Sequence, residues 1–326
     1  MDRGIILGVA LGVAAAVGFA GDALAGGSFP GNPLDMYVTS DTANEVYQYE
    51  RSSPWSYVPG AYSGIAKPQV FSNQSQFSPS MAMYLGCVAG PNQNFWIGGF
   101  SGLTQIHSTT GANVSSMGGG TRIGPATAPN GNVVVGGPTG VEEYDSTSGA
   151  FVCTVNGYGD GYNMFAFSGN TMYTTQWSGG SSSTVKVFDF VTGSQIGADI
   201  SVPFAAQKLA IGPDGALYAS ALYTSPAFEG VYRWNGSAWG VFASSLAQSG
   251  TGPHGFAWDP VSLDLYMAFQ TGEIHRYDGL TGAYLNTIDT VQTKLTDIFF
   301  KRTVPTPGAV GLLCAGGLLV GSRRRR

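Results

Sequence analysis

The chain has 326 residues with 15 Lys/Arg against 20 Asp/Glu, a net charge of −5, and only 11% of its residues are charged, well under the roughly one quarter usual in soluble proteins. Without Arg3, Asp2, Asp22 and the four terminal arginines, residues 26–303 carry a net charge of −8, which excludes nucleic acid as a partner because that needs a basic surface. Three cysteines are too few for a disulfide framework, and the absence of CxxC or Cys/His clusters gives no zinc signature, so neither metal nor cofactor is expected.

Residues 1–25 form the first unit of the chain. Arg3 supplies a positive start, Gly4 to Ala20 is an apolar run, and Ala23-Leu24-Ala25 is a small-x-small site. This predicts a secretory signal cut by signal peptidase between Ala25 and Gly26.

From residue 26 to residue 303 a single scheme repeats. Short runs of alternating apolar residues are punctuated by Gly, Pro and Asp, the pattern of strands and turns. The second strand of each unit carries a large apolar anchor, at Tyr37, Trp96, Val134, Tyr173, Tyr218 and Tyr266. The third strand ends in an aromatic at Tyr49, Tyr144, Phe188, Trp234 and Tyr277, with Ile106 in that place in unit two. A Ser/Thr-Gly turn follows at 110–111, 148–149, 192–193 and 281–282, and Asn235-Gly236 serves in unit five. Glycine there permits the positive φ of a tight connection.

Units two to six have first strands at residues 81–87, 122–128, 163–167, 207–211 and 254–258, whereas unit one has none upstream. The missing strand is supplied by Leu295 to Phe300. The prediction is therefore all-β: a six-bladed β-propeller of four-stranded blades over 26–303, its ring closed by the C-terminal strand joining the first blade. The longer polar-aromatic stretch 56–80 is expected to hold the outer strand of blade one near Ser56 to Val58. Cys87 falls on an inner strand and Cys153 on an outer one, so no bridge joins them, and both read as small buried hydrophobes.

The turn Gly-Pro-Asp-Gly-Ala-Leu-Tyr at 212–218, with relatives GPNQNFW, APNGNVV and DPVSLDLY, resembles that of NHL-type and streptogramin-lyase-type propellers. The resemblance spans the whole body and implies a scaffold. The Trp258-Asp259 pair does not match the Trp-Asp of WD repeats, because it precedes a second strand.

The tail, 304–326, has three parts: Val304-Pro305-Thr306-Pro307-Gly308, an apolar run from Ala309 to Val320, and Arg323, Arg324, Arg325 and Arg326. It resembles the PEP-CTERM sorting signal, with Thr306 in place of the usual Glu. The resemblance implies removal of the tail by an exosortase-type membrane peptidase. The apolar run is shorter than the roughly 20 residues of a full span, so membrane association would be transient, with the arginines on the cytoplasmic side. The destination implied is the cell surface or extracellular matrix, where exopolysaccharide or another envelope component is the expected partner.

Candidate chemistry is sparse. The histidines are His107, His254 and His275. Streptogramin-type lyases use His and Glu with a divalent metal, and Gly-Pro-His-Gly at 252–255 is similar to theirs, so His254, Glu273 and His275 form the one catalytic candidate set. All three belong to one blade, and the plainer reading is an exposed histidine in a turn and another on a strand. Asp160 and Asp214 beside glycines read as turn residues. The expected function is an exported binding or structural module without catalysis; a metal-dependent propeller lyase or lactonase is the alternative.

Overall fold

Alternating apolar residues bounded by turns give 24 strands among the described residues, and no helix. The computed structural model describes residues 35–40, 45–49, 69–72, 84–89, 94–99, 102–108, 112–118, 120–138, 140–155, 163–176, 182–221, 229–245, 247–248, 252–290 and 294–300; for 69–72 and 84–89 it describes the backbone alone. The signal at 1–25, the tail at 304–326, Asp160 and the stretch 56–58 lie outside the described residues.

In chain order, β1 (Met36–Ser40), β2 (Glu45–Tyr49) and β3 (Gln69–Ser72) belong to blade 1. Blade 2 has β4 (Tyr84–Ala89), β5 (Phe95–Gly99), β6 (Gly102–Ile106) and β7 (Asn113–Gly118), and blade 3 has β8 (Ile123–Thr127), β9 (Val133–Gly137), β10 (Gly140–Tyr144) and β11 (Phe151–Val155). Blade 4 has β12 (Asn163–Ser168), β13 (Thr171–Gln176), β14 (Ser183–Asp189) and β15 (Ile200–Val202). Blade 5 has β16 (Ala206–Ile211), β17 (Leu217–Ala221), β18 (Gly230–Trp234) and β19 (Trp239–Ser244). Blade 6 has β20 (Gly255–Trp258), β21 (Leu265–Ala268), β22 (Glu273–Tyr277) and β23 (Tyr284–Thr290). The last strand, β24 (Leu295–Phe300), pairs antiparallel with β1, so blade 1 runs β24-β1-β2-β3 and the other five run in simple chain order. The inner strands β24, β4, β8, β12, β16 and β20 neighbour one another in turn, and β20 returns to β24. The chain is a six-bladed β-propeller closed as the sequence predicts.

Why the second strands read as continuous apolar runs is visible in the packing. They are sandwiched between blades, so both faces need burial, and β1, β5, β9, β17 and β21 are buried along their whole length. Each anchor faces the next blade. Tyr37 packs with Phe95, Ile97 and Ile106 of blade 2, Trp96 with Val133 and Val135 of blade 3, and Val134 with Phe165 and Met172 of blade 4. Tyr173, half-buried, meets the cluster between blades 4 and 5. Tyr218 packs on Phe256 and Met267 of blade 6, and Tyr266 returns to Met36, Val38 and Phe300 of blade 1. At the closure Phe299 stacks on Tyr37 with ring centroids 5.4 Å apart, and edge-to-face on Phe95 at 4.9 Å.

Two strand-level expectations need correction. The strand paired with β2 on the outer side of blade 1 is Gln69–Ser72, later in the chain than expected. Cys153 is an exposed free thiol on β11, not a buried hydrophobe, because the outer strand of blade 3 presents Phe151 and Val152 to solvent as well.

A recurring loop joins third to fourth strands. In Asp145–Ala150, Asp189–Ser194 and Asp278–Ala283 the first residue's N–H donates to the sixth carbonyl, and the fifth N–H to the first carbonyl. The aspartate Oδ1 accepts N–H groups inside the loop, from Thr147 and Ser148, from Thr192, and from Leu280 and Thr281. The fifth residue, Gly149, Gly193 or Gly282, has φ near +70° (75, 69 and 73). Residues 259–264, which the sequence groups with the Gly-Pro-Asp-Gly turn, in fact adopt this six-residue loop: Asp259 N–H donates to Asp264 and Leu263 N–H to Asp259. Leu263 takes the glycine position, with φ 62°.

Candidate functional site

Inner strands approach one another most closely at the ring axis, and what lies there depends on their inward side chains. Gly124 and Pro125 of β8, Lys208 of β16, Thr296 and Asp297 of β24, and His254 at the start of β20 help enclose a cavity of about 30 Å³, room for about one water molecule. Lys208 Nζ pairs with Asp297 Oδ1 across two blades and donates to the Ile298 carbonyl at 3.1 Å. Asp297 Oδ1 also accepts the Ile298 N–H at 2.8 Å. The same ammonium lies 6.0 Å from the Phe256 ring centroid, so one lysine ties blade 5 to blades 6 and 1. Gly255 is needed for this closure, since a Cβ there would collide with Asp297 Oδ1 and Cα.

His254 is only 4% exposed. The expectation of an exposed turn histidine is therefore corrected: its backbone N–H donates to Ala268 at 2.9 Å, and the neighbouring blades cover the ring. Burial, helped by the positive charge of Lys294, pulls its pKa down to about 4, so the imidazole is neutral at pH 7. His275 is on a strand as expected, 1% exposed, its ring 4.7 Å from Phe269 and 5.7 Å from Tyr284. Glu273 shares its face, with Oε2 3.6 Å from His275 Nε2. Burial lowers the His275 pKa, opposed by Glu273.

The candidate set does not converge. His275 is paired with Met267, which is paired with Phe256 on the inner strand. Two strand spacings therefore separate it from the inner strand, about 10 Å. His254 faces Lys208 and Asp297 in the axial cavity, and Glu273 and His275 sit further out. Among the described residues no group of three His, Cys, Asp or Glu side chains is placed to hold a metal ion.

Blade 3 holds a buried polar network that the sequence does not announce. Arg122 Nε donates to Glu142 Oε2 at 2.7 Å and Tyr144 OH donates to the same oxygen at 2.6 Å. Burial and the Glu142 bond push the Tyr144 pKa up to about 12. The network holds the first and third strands of blade 3 together, and the Arg122 backbone N–H donates to the Gly99 carbonyl of blade 2 at 2.8 Å.

A larger hollow, about 630 Å³, opens at the perimeter between blades 3 and 4. One wall is the outer strand β11 with Cys153 and Thr154, and the other is the loop Phe190–Gly193 with Asn170 beside it. Phe190 N–H donates to the Asn170 carbonyl at 2.8 Å, and the Phe190 ring is held edge-to-face by Phe167 at 5.3 Å. Glu143 reaches the hollow from β10. It is 7% exposed, its Oε1 accepts the amides of Asn130 (2.8 Å) and Asn132, and its Oε2 lies 3.6 Å from Cys153 Sγ. Partial burial and the nearby carboxylate raise the Cys153 pKa, which makes the thiol a poor nucleophile. Among the described residues no lysine, arginine or histidine lines the hollow.

No family model matches this chain, and no curated protein matches it. Among solved structures it is similar to the Dos1 propeller, at 10% identity over 80% of this chain and 69% of that one, TM-score 0.45. It is also similar to the computationally designed Ika8 protein, at 19% identity over 66% of this chain and 64% of that one, TM-score 0.41. A third similar structure is an extracellular domain from B. thetaiotaomicron, at 11% identity, covering 65% of this chain and 28% of that one, TM-score 0.47. The matched stretch thus spans less than two thirds of the designed protein and of the extracellular domain.

Proposed function

We propose that this chain is an exported β-propeller that acts at the cell surface or in the extracellular matrix as a binding or structural module, without catalysis. The observation that carries the reading is the Lys208–Asp297 pair at the ring axis. Lys208 and Asp297 occupy the place beside His254 where a propeller enzyme would admit substrate, and the remaining space holds about one water molecule. The roomier hollow is on the perimeter, where a partner can approach from outside. Export rests on the sequence: the segment ending at Ala25, and the tail with Val304 to Gly308, its short apolar run and Arg323 to Arg326. On this reading signal peptidase and an exosortase-type peptidase process the two ends, the tail associates with the membrane only in transit, and exopolysaccharide or another envelope component is the partner.

The test is to recover the protein from its native cells. Mass spectrometry is expected to give a chain that starts near Gly26 and lacks the four terminal arginines, and the same material is expected to be retained on matrix polysaccharide from those cells. Retention of the arginines would make the tail a plain anchor. A metal-dependent cleavage activity lost in His254→Gln or Glu273→Gln would overturn the non-catalytic reading.

A further inference from the structure

We infer that the perimeter hollow between blades 3 and 4 is a binding subsite for a neutral, polyhydroxylated glycan segment. The inference rests on the reading of the protein as a binding module and assigns its site and ligand class.

At about 630 Å³ the hollow falls in the range of small-ligand pockets. Its central group is Glu143, a carboxylate more than nine-tenths buried with no cation beside it among the described residues. A buried carboxylate is costly unless donors surround it. Here two carboxamides satisfy Oε1, while among the described residues Oε2 has only the weak Cys153 S–H. A ligand hydroxyl donated to Oε2 would make a charge-assisted hydrogen bond to an acceptor already fixed in place.

The surroundings decide which ligand. With one carboxylate and no lysine, arginine or histidine among the described lining residues, phosphates, sulfates and uronic acids are repelled. The other polar side chains include the neutral Asn170 amide and Thr192 hydroxyl, and each can exchange hydrogen bonds with hydroxyl groups. Beside them stand the fixed ring of Phe190 and the Val191 side chain, 72% exposed. Apolar surface next to neutral donors and acceptors matches the two faces of a sugar ring, C–H on one and hydroxyls at the edge.

Cys153, exposed and in the wall, reports on occupancy. Full-length protein is titrated with neutral hexose oligosaccharides, a polyuronate oligomer and a chitosan oligomer, and iodoacetamide labelling of Cys153 is followed by peptide mass mapping. A neutral oligosaccharide is expected to bind and to slow labelling of Cys153. Glu143→Gln is expected to weaken that binding by about tenfold or more, as for a lost hydrogen bond to a charged group. Val191→Arg, on an exposed loop position in the wall, is expected to block the hollow without changing the melting temperature. The inference is overturned if no neutral oligosaccharide protects Cys153, if the chitosan oligomer binds most tightly, or if Val191→Arg binds like the parent. Matrix polysaccharide separates this inference from the broader reading. Equal retention of parent and Val191→Arg keeps the module and removes the hollow as its site, whereas failure to retain the parent removes both.

Discussion

His254 shows how a single buried side chain sets a pH limit on this fold. Its pKa in the folded chain is about 4, against about 6.5 in an unfolded chain. Between those values the unfolded state binds a proton that the folded state refuses. Stability is therefore full above pH 6.5 and falls as the pH drops toward 4, by roughly 3 kcal/mol from His254 alone. His275, also lowered by burial, acts in the same direction. The loop aspartates act lower down. Asp145, Asp189 and Asp278 are held below the ordinary carboxylate value by backbone N–H and hydroxyl groups of Ser148, Thr192 and Thr281. Their contribution is present above about pH 4 and is lost as the pH falls through their folded values. Asn235 already makes equivalent bonds as an amide, accepting from Ser237 and Ala238. Melting temperatures from pH 2 to 8 should resolve two limbs. His254→Gln should flatten the upper limb, and the triple change to Asn at 145, 189 and 278 should flatten only the lower. An upper limb unchanged in His254→Gln would mean that another group titrates there.

Leu263 is the exception that defines its element. Three loops of the same hydrogen-bond pattern place glycine at the left-handed fifth position, and the 259–264 loop places a leucine there, at φ 62° and 49% exposed. A non-glycine residue in that region costs about 1–2 kcal/mol, and asparagine tolerates it best. Leu263→Asn is expected to stabilise the protein by about 1 kcal/mol, read as a higher denaturation midpoint at unchanged slope. A lower midpoint would show that the side chain contributes packing that offsets the strain. The second strands were legible in the sequence because burial on both faces demands apolar runs, and the third strands because an aromatic before the loop marks their end. Outer strands were not, since Phe151, Val152 and Val241 are exposed and the alternation there carries no inward signal. Hence the misplaced outer strand of blade 1 and the misread Cys153. The burial of His254 was hidden for another reason. A Gly-Pro-His-Gly stretch looks like a surface turn, and the Lys208–Asp297 pair beside it joins residues 89 apart in the chain. The perimeter hollow likewise needs turns from two blades, so no single repeat displays it.

Ring closure ties the whole molecule to one short strand. β24 supplies the inner edge of blade 1, and Leu295, Ile298, Phe299 and Phe300 are buried on it. Without it β1 would have an open edge, and the clusters joining blade 1 to blades 6 and 2 would lose members. The chain thus has to remain whole through Phe300, whereas the proposed sorting motif at Val304 to Pro307 follows the last strand of the ring in the sequence. Processing at that motif would act on a finished propeller. Two shortened chains distinguish these roles. A chain ending at Thr303 is expected to melt at the same temperature as the full-length protein, with the same cooperativity. A chain lacking residues 295–302 is expected to aggregate or to unfold without a cooperative transition, because Phe299 alone fills a site whose emptying costs about 3–5 kcal/mol, and five other β24 residues go with it. Cooperative melting of that shorter chain near the parental temperature would mean that blade 1 closes by some means other than β24.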